Sequence, residues 1–371
     1  MNDLQEVVSE LEELGKVSKP AAASFSESFN RIVPVVEESL SIYSAGAGSS
    51  RPLSQLQVES RSGDDPYIRS STIHFGRSLE AVYRYSLWKA LAEETVVLAQ
   101  GLRARGLSGR LSGLLRGWIM AVISAVGSPE VYELTRPLEI LRHYSDQFES
   151  AADSSEEMPA PAHNHDFTAD VLAGRSREAG DVAAEVYRRK GSVDEVLTEV
   201  FYPALVEIGR RWRENIIGVA EEHAATAALR GAARRFFGSI SAGERYATPV
   251  AVTCVPGDEH ELGAEIISLY LQSRGWRVFF MGHSLPYSEI LREIDRGGYR
   301  AVLLSVSMVR HLPAFEDTVG MIRDLKKEIL IIAGGGALTR GGGVIESFAD
   351  DVAETPEGAH RILLGLEKTD A

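Results

Sequence analysis

The chain has 371 residues, with 53 acidic and 39 basic side chains, a single cysteine and 44% hydrophobic content. At about 100–200 residues per domain this is two or three domains, each able to bury a core. A formal charge of −14 argues against a general nucleic-acid surface, which needs a concentrated positive field. One cysteine excludes a disulfide framework or a Cys-built zinc or iron–sulfur site and fits a reducing, cytoplasmic setting.

The first residues, MNDLQEVVSELEELGK, are acidic and lack the basic start and apolar run of a signal peptide. Residues 45–65 turn to Ser, Gly and Arg, which reads as a loop. Residues 73–148 alternate apolar and charged positions at helical spacing, as at Leu79, Val82, Tyr83, Leu87 and Leu91. This predicts five or six helices, one of them opening at Ser128-Pro129-Glu130 with Pro in the first helical position. The longest apolar stretch, 117–127, is about half of what a membrane span needs, so no membrane association is expected. Residues 151–166 carry two prolines and no periodicity and form the main boundary. Four helical patterns follow over 167–240, and Ser192-Val193-Asp194-Glu195 has the form of a capping box at the start of the third.

After Tyr246 short β-rich runs alternate with amphipathic helices. Strands are expected at 249–255, 276–281, 301–306, 329–333 and 350–353, with helices at 264–273, 287–296, 314–327 and 357–366. Such alternation means a doubly wound parallel sheet, which takes ligands at the carboxyl ends of its strands. The segments are thus 1–150, all helical; 151–166, a linker; 167–245, a four-helix bundle; and 246–371, the α/β domain.

The chemistry gathers at the predicted strand ends. After the first comes Asp258-Glu259-His260-Glu261-Leu262-Gly263. The Asp can accept a hydrogen bond from one imidazole nitrogen and leave the other to bind a metal, and Gly263 lets a ligand pass close to the backbone. A polar loop whose His caps a helix is the other reading. The third strand ends Ser305-Val306-Ser307 and the fourth Gly334-Gly335-Gly336. Together they outline a slot along one edge of the sheet.

In this combination, over about residues 248–366, the chain resembles the cobalamin-binding domain of corrinoid proteins. The resemblance implies a Rossmann-like domain in which His260 is the lower cobalt ligand and Asp258 tunes it. It also implies that Gly263 admits the nucleotide tail and that Ser305, Ser307, Gly334 and Gly335 line the tail pocket. Ser307 stands where many relatives have Leu or Thr. In the bundle, Trp212 is followed ten residues later by Glu222-His223. A core Trp and a solvated helix start would also explain them. Trp-x9-Glu-His ahead of such a domain is nevertheless similar to the helical cap of light-sensing cobalamin regulators. That resemblance implies adenosylcobalamin, with Trp212 packed against the adenosyl group and Glu222 and His223 hydrogen-bonded to it. Arg213 stands where those regulators often carry a His that ligates cobalt after illumination.

Their basic DNA-binding head is not recognisable, and acidic residues outnumber basic ones over 1–160. No nucleic-acid partner is therefore expected. The stretch 77–116 is locally basic and lies among Tyr83, Tyr85, Trp88 and Trp118. It reads either as a solvated arginine face or as a pocket for a flat, propionate-bearing ligand, with arginines pairing carboxylates and aromatics stacking. A helical sensor ahead of a photoactive cobalamin domain resembles the photocobilins, which implies biliverdin as a second chromophore. His74, Arg77, Tyr83, Arg84 and His143 are its candidate contacts. Cys254 lies in the first strand of the other domain, so any bilin there would be held non-covalently. His163 and His165 read as solvated linker residues and His283 as a neighbour of the corrin edge, while His311 and His360 carry no signal.

The resemblance implies a photoreceptor, not an enzyme, whose output is light-dependent homo-oligomer assembly or a downstream protein partner. The alternative is a corrinoid methyl carrier. An adenosylcobalamin mutase would need a barrel of about 250 residues.

Overall fold

A computed structural model describes residues 2–45, 66–127, 129–154, 164–240 and 245–369. The chain divides into two compact units, Met1–Glu156 and Glu157–Ala371. The expected loop at 45–65 lies almost wholly outside the described residues, as do Ser128, His163 and much of the 151–166 linker.

The first unit holds seven helices among its described residues: α1 Asn2–Glu13, α2 Lys19–Ala45, α3 Pro66–Tyr85, α4 Trp88–Arg103, α5 Leu111–Ala125, α6 Val131–His143 and α7 Ser145–Ser154. The first two precede the periodic stretch 73–148 and lie within the segment 1–150 expected to be all helical. Helix α6 starts after Pro129 and Glu130, which form a turn, so Pro129 is not its first residue. The α3 positions at helical spacing turn inward, and Phe25 meets Tyr83 edge to face at 5.0 Å. The Tyr83 hydroxyl donates to the Leu134 carbonyl at 2.7 Å. A side chain on Gly76 would strike the Trp118 ring, so α3 and α5 can approach only with glycine there.

The second unit opens with the four-helix cap. It comprises α8 His165–Leu172, α9 Ser176–Lys190, a helix running from α10 Val193–Val196 through a π turn Leu197–Phe201 into α11 Tyr202–Arg213, and α12 Val219–Gly238. The third is capped as expected, the Ser192 hydroxyl accepting from Glu195 N–H at 3.3 Å. Its π turn has a local cause. Pro203 has no N–H for the carbonyl four residues back and its ring crowds that group, so the helix widens upstream. Phe201 then packs against Phe167 at 5.1 Å and Phe236 at 5.8 Å. Ser192→Ala should cost about 1 kcal/mol, the usual worth of an N-cap, read as a lower midpoint in urea unfolding.

Five parallel strands follow: β1 Pro249–Cys254, β2 Arg277–Gly282, β3 Ala301–Ser305, β4 Leu330–Gly334 and β5 Asp351–Ala353, in the order β2-β1-β3-β4-β5. Between them run α13 Glu261–Ser273, α14 Tyr287–Gly297, α15 Leu312–Leu325 after a 3₁₀ turn Val309–His311, the unforeseen short α16 Val344–Phe348, and α17 Pro356–Thr369 after β5. Central strands covered on both faces read as continuous apolar runs, and Val250–Cys254 and Ala301–Leu304 are buried throughout. β2, at the edge, alternates and leaves Phe279 46% exposed. β2 lies on one side of β1 and β3 on the other. The winding therefore reverses between β1 and β3, which opens a crevice beyond their carboxyl ends.

Candidate functional site

Asp258 and Ser307 follow the two strands that flank this reversal. The register sets Cys254 beside Ser305 and Ser305 beside Gly334, so the ends of β1, β3 and β4 are level. Asp258 is fully buried. Its Oδ1 accepts from the His260 backbone N–H at 3.1 Å and stands 2.9 Å from His260 Nδ1. Its Oδ2 accepts from the Ser307 backbone N–H at 2.7 Å. Burial alone would raise the Asp258 pKa. The hydrogen bond with His260, the nearby His311 and the Ser307 N–H outweigh burial and hold it far below the carboxylate range. A carboxylate fixed in this way can accept a hydrogen bond from Nδ1–H, which leaves Nε2 free to bind a metal, on a ring 46% exposed.

The glycines behave in two ways. Gly335 has φ +110°, and a Cβ there would lie within 2.9 Å of Val306 backbone atoms. A Cβ on Gly336 would come 2.8 Å from the Ser307 carbonyl oxygen. These two let β4 exit against the turn after β3, a bond sealed by Ala337 N–H donating to the Val306 carbonyl at 3.0 Å. Gly263, in the first turn of α13, is different, because a Cβ there would meet no protein atom. Packing within the chain does not require glycine at this position. It leaves open space at the helix start, directly after His260. Cys254 lies beneath, its thiol pushed up to about 12 by burial, with the charges of Asp258 and Glu261 adding to the rise.

In the cap, Trp212 is in the last turn of α11, which a buried carboxylate steadies. Glu207, only 4% exposed, accepts from Arg210 at 2.8 Å and Arg211 at 2.6 Å. The Arg210 hydrogen bonds outweigh burial and, with Arg211, lower its pKa to about 2. Glu222 and His223 open α12, 3.5 Å apart, with the Thr226 hydroxyl donating to Glu222 at 2.7 Å. Sequence reasoning missed how the cap meets the sheet. Arg230 pairs with Glu261 at 2.5 Å and Glu265 at 2.9 Å, and Arg234 with Glu265 at 2.6 Å. His283, at the end of β2, stands 3.6 Å from Glu261. Glu265 is 5% exposed, so Glu265→Ala should cost about 1–3 kcal/mol, measured by urea denaturation.

His311 was also missed. It is 7% exposed, in the turn after β3, with Nδ1 3.3 Å from Asp258 Oδ2.

In the first unit the candidate bilin contacts do not form one wall. His74, Arg77, Arg84 and His143 are exposed, whereas Tyr83 is 1% exposed in the core. Arg77 stacks on Phe29 at 3.9 Å and pairs with Glu80 at 2.9 Å. Trp88 and Trp118 are core residues too. Tyr83 meets Phe25 of α2 and bonds Leu134 of α6, Trp118 meets Phe75 of α3 edge to face at 6.2 Å, and Trp88 Nε1 donates to the Gly15 carbonyl at 2.9 Å, so these rings pack within the core. No described helix is long and apolar enough to cross a membrane.

Two family models match the chain, both described as B12 binding domain, over residues 248–355 and 164–235. The HTH-type transcriptional repressor CarH of Myxococcus xanthus is 28% identical over 199 residues, 50% of this chain and 66% of that protein. CarA, an HTH-type transcriptional repressor of the same organism, is 34% identical over 87 residues, 23% of this chain and 27% of that protein. Dimethylamine corrinoid protein 1 of Methanosarcina acetivorans is 27% identical over 88 residues, 23% of this chain and 41% of that protein. The chain thus spans less than two thirds of the length of each. The solved monomethylamine corrinoid protein of Methanosarcina barkeri aligns at a TM-score of 0.46 and 14% identity, over 54% of this chain and 96% of that one. Two of these relatives are named as repressors of the HTH type, so the expectation of no nucleic-acid partner finds no support in them. The chain carries a helical and a Rossmann-like B12-binding module, and its cofactor class is a cobalt corrinoid.

Proposed function

We propose that these two modules hold adenosylcobalamin and that the chain is a light sensor. The observation that carries the reading is the buried Asp258 fixing His260 at the reversal point of a matched B12-binding sheet, directly after a matched cap carrying Trp-x9-Glu-His. The site fits a cobalt macrocycle. Asp258 engages one ring nitrogen of a half-exposed His260 and leaves the other for a metal, and Gly263 leaves open space beside it. When bound, adenosylcobalamin supplies a cobalt–carbon bond that visible light breaks.

The chain does the rest. Asp258 would orient His260 as a cobalt ligand, Gly263 would leave the tail's entrance open, and Ser305, Ser307, Gly334 and Gly335 would border its pocket. Trp212, Glu222 and His223 hold the adenosyl group. A cap that packs differently with and without the adenosyl group would change how copies of the chain, or a downstream protein, associate. Arg213 would offer no imidazole on the cap side. The test is to load the protein with adenosylcobalamin in darkness, illuminate it with green light, and follow its spectrum and solution mass. A spectrum unmoved by light would sink the reading.

The similarity to dimethylamine corrinoid protein 1 favours one second reading, a methyl carrier for a methyltransferase. Tighter binding of methylcobalamin than of adenosylcobalamin would select it. The proposal extends to biliverdin, held without a covalent bond by the first unit. The order of segments supports this, a helical unit preceding the cobalamin modules. Co-expression with a biliverdin source should then add a red absorption band, and corrin bands alone would exclude it.

A further inference from the structure

We infer that Arg230 and Arg234 are positioning residues that set which upper axial group the cap favours, by tying α12 to the helix that begins beside His260. This deepens the cobalamin reading above and rests on it.

The tie joins residues that no local pattern links. Arg230 forks, with Nη2 reaching Glu261 at 2.5 Å and Nε standing 2.9 Å from Glu265. Arg234 Nε donates to the other Glu265 oxygen at 2.6 Å. Glu265 is buried, so its charge depends on these two partners. A planar guanidinium fixes the direction of both carboxylates, which a point charge such as ammonium would not. Glu261 opens α13 directly after His260, and His283 at the end of β2 stands 3.6 Å from it. The tie therefore ends one residue from the proposed cobalt ligand.

Helix geometry carries it to the other end of α12. Seven and eleven residues are close to whole numbers of turns, so His223, Arg230 and Arg234 lie on one face, with His223 about 10 Å along the axis from Arg230. On this overhang His223 is 74% exposed, and Ala220, Ala224 and Ala227 are exposed as well. The tied end of the helix is packed, and the free end is lined by small side chains that no described part of the chain covers. A group as large as adenosyl would reach that surface, whereas a hydroxyl on cobalt would not. A cap already held in place needs no ordering when the adenosyl group arrives; a loose cap does. The tie would thus strengthen adenosylcobalamin binding and add nothing for hydroxocobalamin, which the His260 side holds from below.

The test measures the dissociation constants of adenosyl- and hydroxocobalamin for the full chain in darkness. Arg230→Met keeps the stem and removes the charge, but deprives the buried Glu265 of a partner. Arg230→Met/Glu265→Met replaces the pair by apolar groups, an exchange that is often neutral. Arg234 is 63% exposed, and Arg234→Met leaves Glu265 paired with Arg230, so this variant should fold in any case. Folding is checked by thermal melting. The preference for adenosyl- over hydroxocobalamin should fall at least about fivefold in the Arg230 variants, the lower end of usual coupling between two sites. It should fall in the same direction in Arg234→Met, with hydroxocobalamin affinity unchanged throughout. Native preference in the folded variants would overturn the inference. Equal weakening of both cobalamins would overturn it too, because that marks a merely structural role. A native protein with no preference for adenosylcobalamin would instead defeat the adenosyl reading itself, which distinguishes the two failures.

Discussion

His260→Ala is expected to lose nitrogen ligation of cobalt altogether and to weaken cobalamin binding by at least the 10–100-fold that even an outer partner is worth. The reason is geometric. Asp258 Oδ1 engages His260 Nδ1 at 2.9 Å, so Nε2 is the ring nitrogen of His260 left to bind a metal. The carboxylate would survive the substitution, since it still receives the Ser307 N–H at 2.7 Å and the backbone N–H of residue 260. The variant should therefore fold, which separates loss of a ligand from loss of the site. Absorption and paramagnetic resonance spectra of the loaded protein, with a binding titration, check both. Retained ligation by a histidine nitrogen, told from the cofactor's own base by nitrogen-15 labelling of histidine, would refute the assignment of His260.

Gly335→Ala should produce the largest loss of stability, about 3 kcal/mol from a disallowed backbone conformation plus a clash that side-chain movement cannot relieve. In a unit of this size that corresponds to a fall of about 6–12 °C in melting temperature. The methyl group would lie against Val306 backbone atoms, with φ at +110°. Gly343→Ala is the control. Its φ is +83° but its Cβ would meet nothing within 4 Å, so only the backbone cost of about 1–2 kcal/mol should appear. Equal losses at the two positions would show that the close approach of β4 to the β3 exit is not what Gly335 serves.

The two predictions differ in how far the sequence supported them. Asp258-x-His260 was legible because the residues are two apart and the hydrogen bond between them is local. The central strands were legible because burial on both faces turns each into a continuous apolar run; the observed ends of all five strands lie within one residue of the expected ones. Ser307 was singled out for its hydroxyl, but its backbone N–H bonds Asp258, which no residue type could have indicated. His311 gave no signal because its partner is 53 positions earlier in the chain and adjacent only once β1 and β3 pair. Arg230, Arg234, Glu261 and Glu265 were unremarkable charges in sequence and become the link between cap and sheet. In the first unit, periodicity predicted helices correctly but not which aromatic rings they bury. Tyr83 has a pocket's chemistry, yet its hydroxyl is satisfied by Leu134 inside the core.

What the sequence determined by itself was what repeats or stays local. That covers the helical periods, the strand–helix alternation, the Ser192 cap and the His260 loop, all set by interactions spanning a few residues. Only the tertiary structure decided what depends on closure of distant segments. The strand order puts Asp258 and Ser307 on the two sides of one crevice, and the packing of β4 forces glycine at position 335. The turn after β3 brings a second histidine to the Asp258 carboxylate. These contacts join residues tens of positions apart, and a contact that depends on chain topology leaves no periodic mark in the sequence.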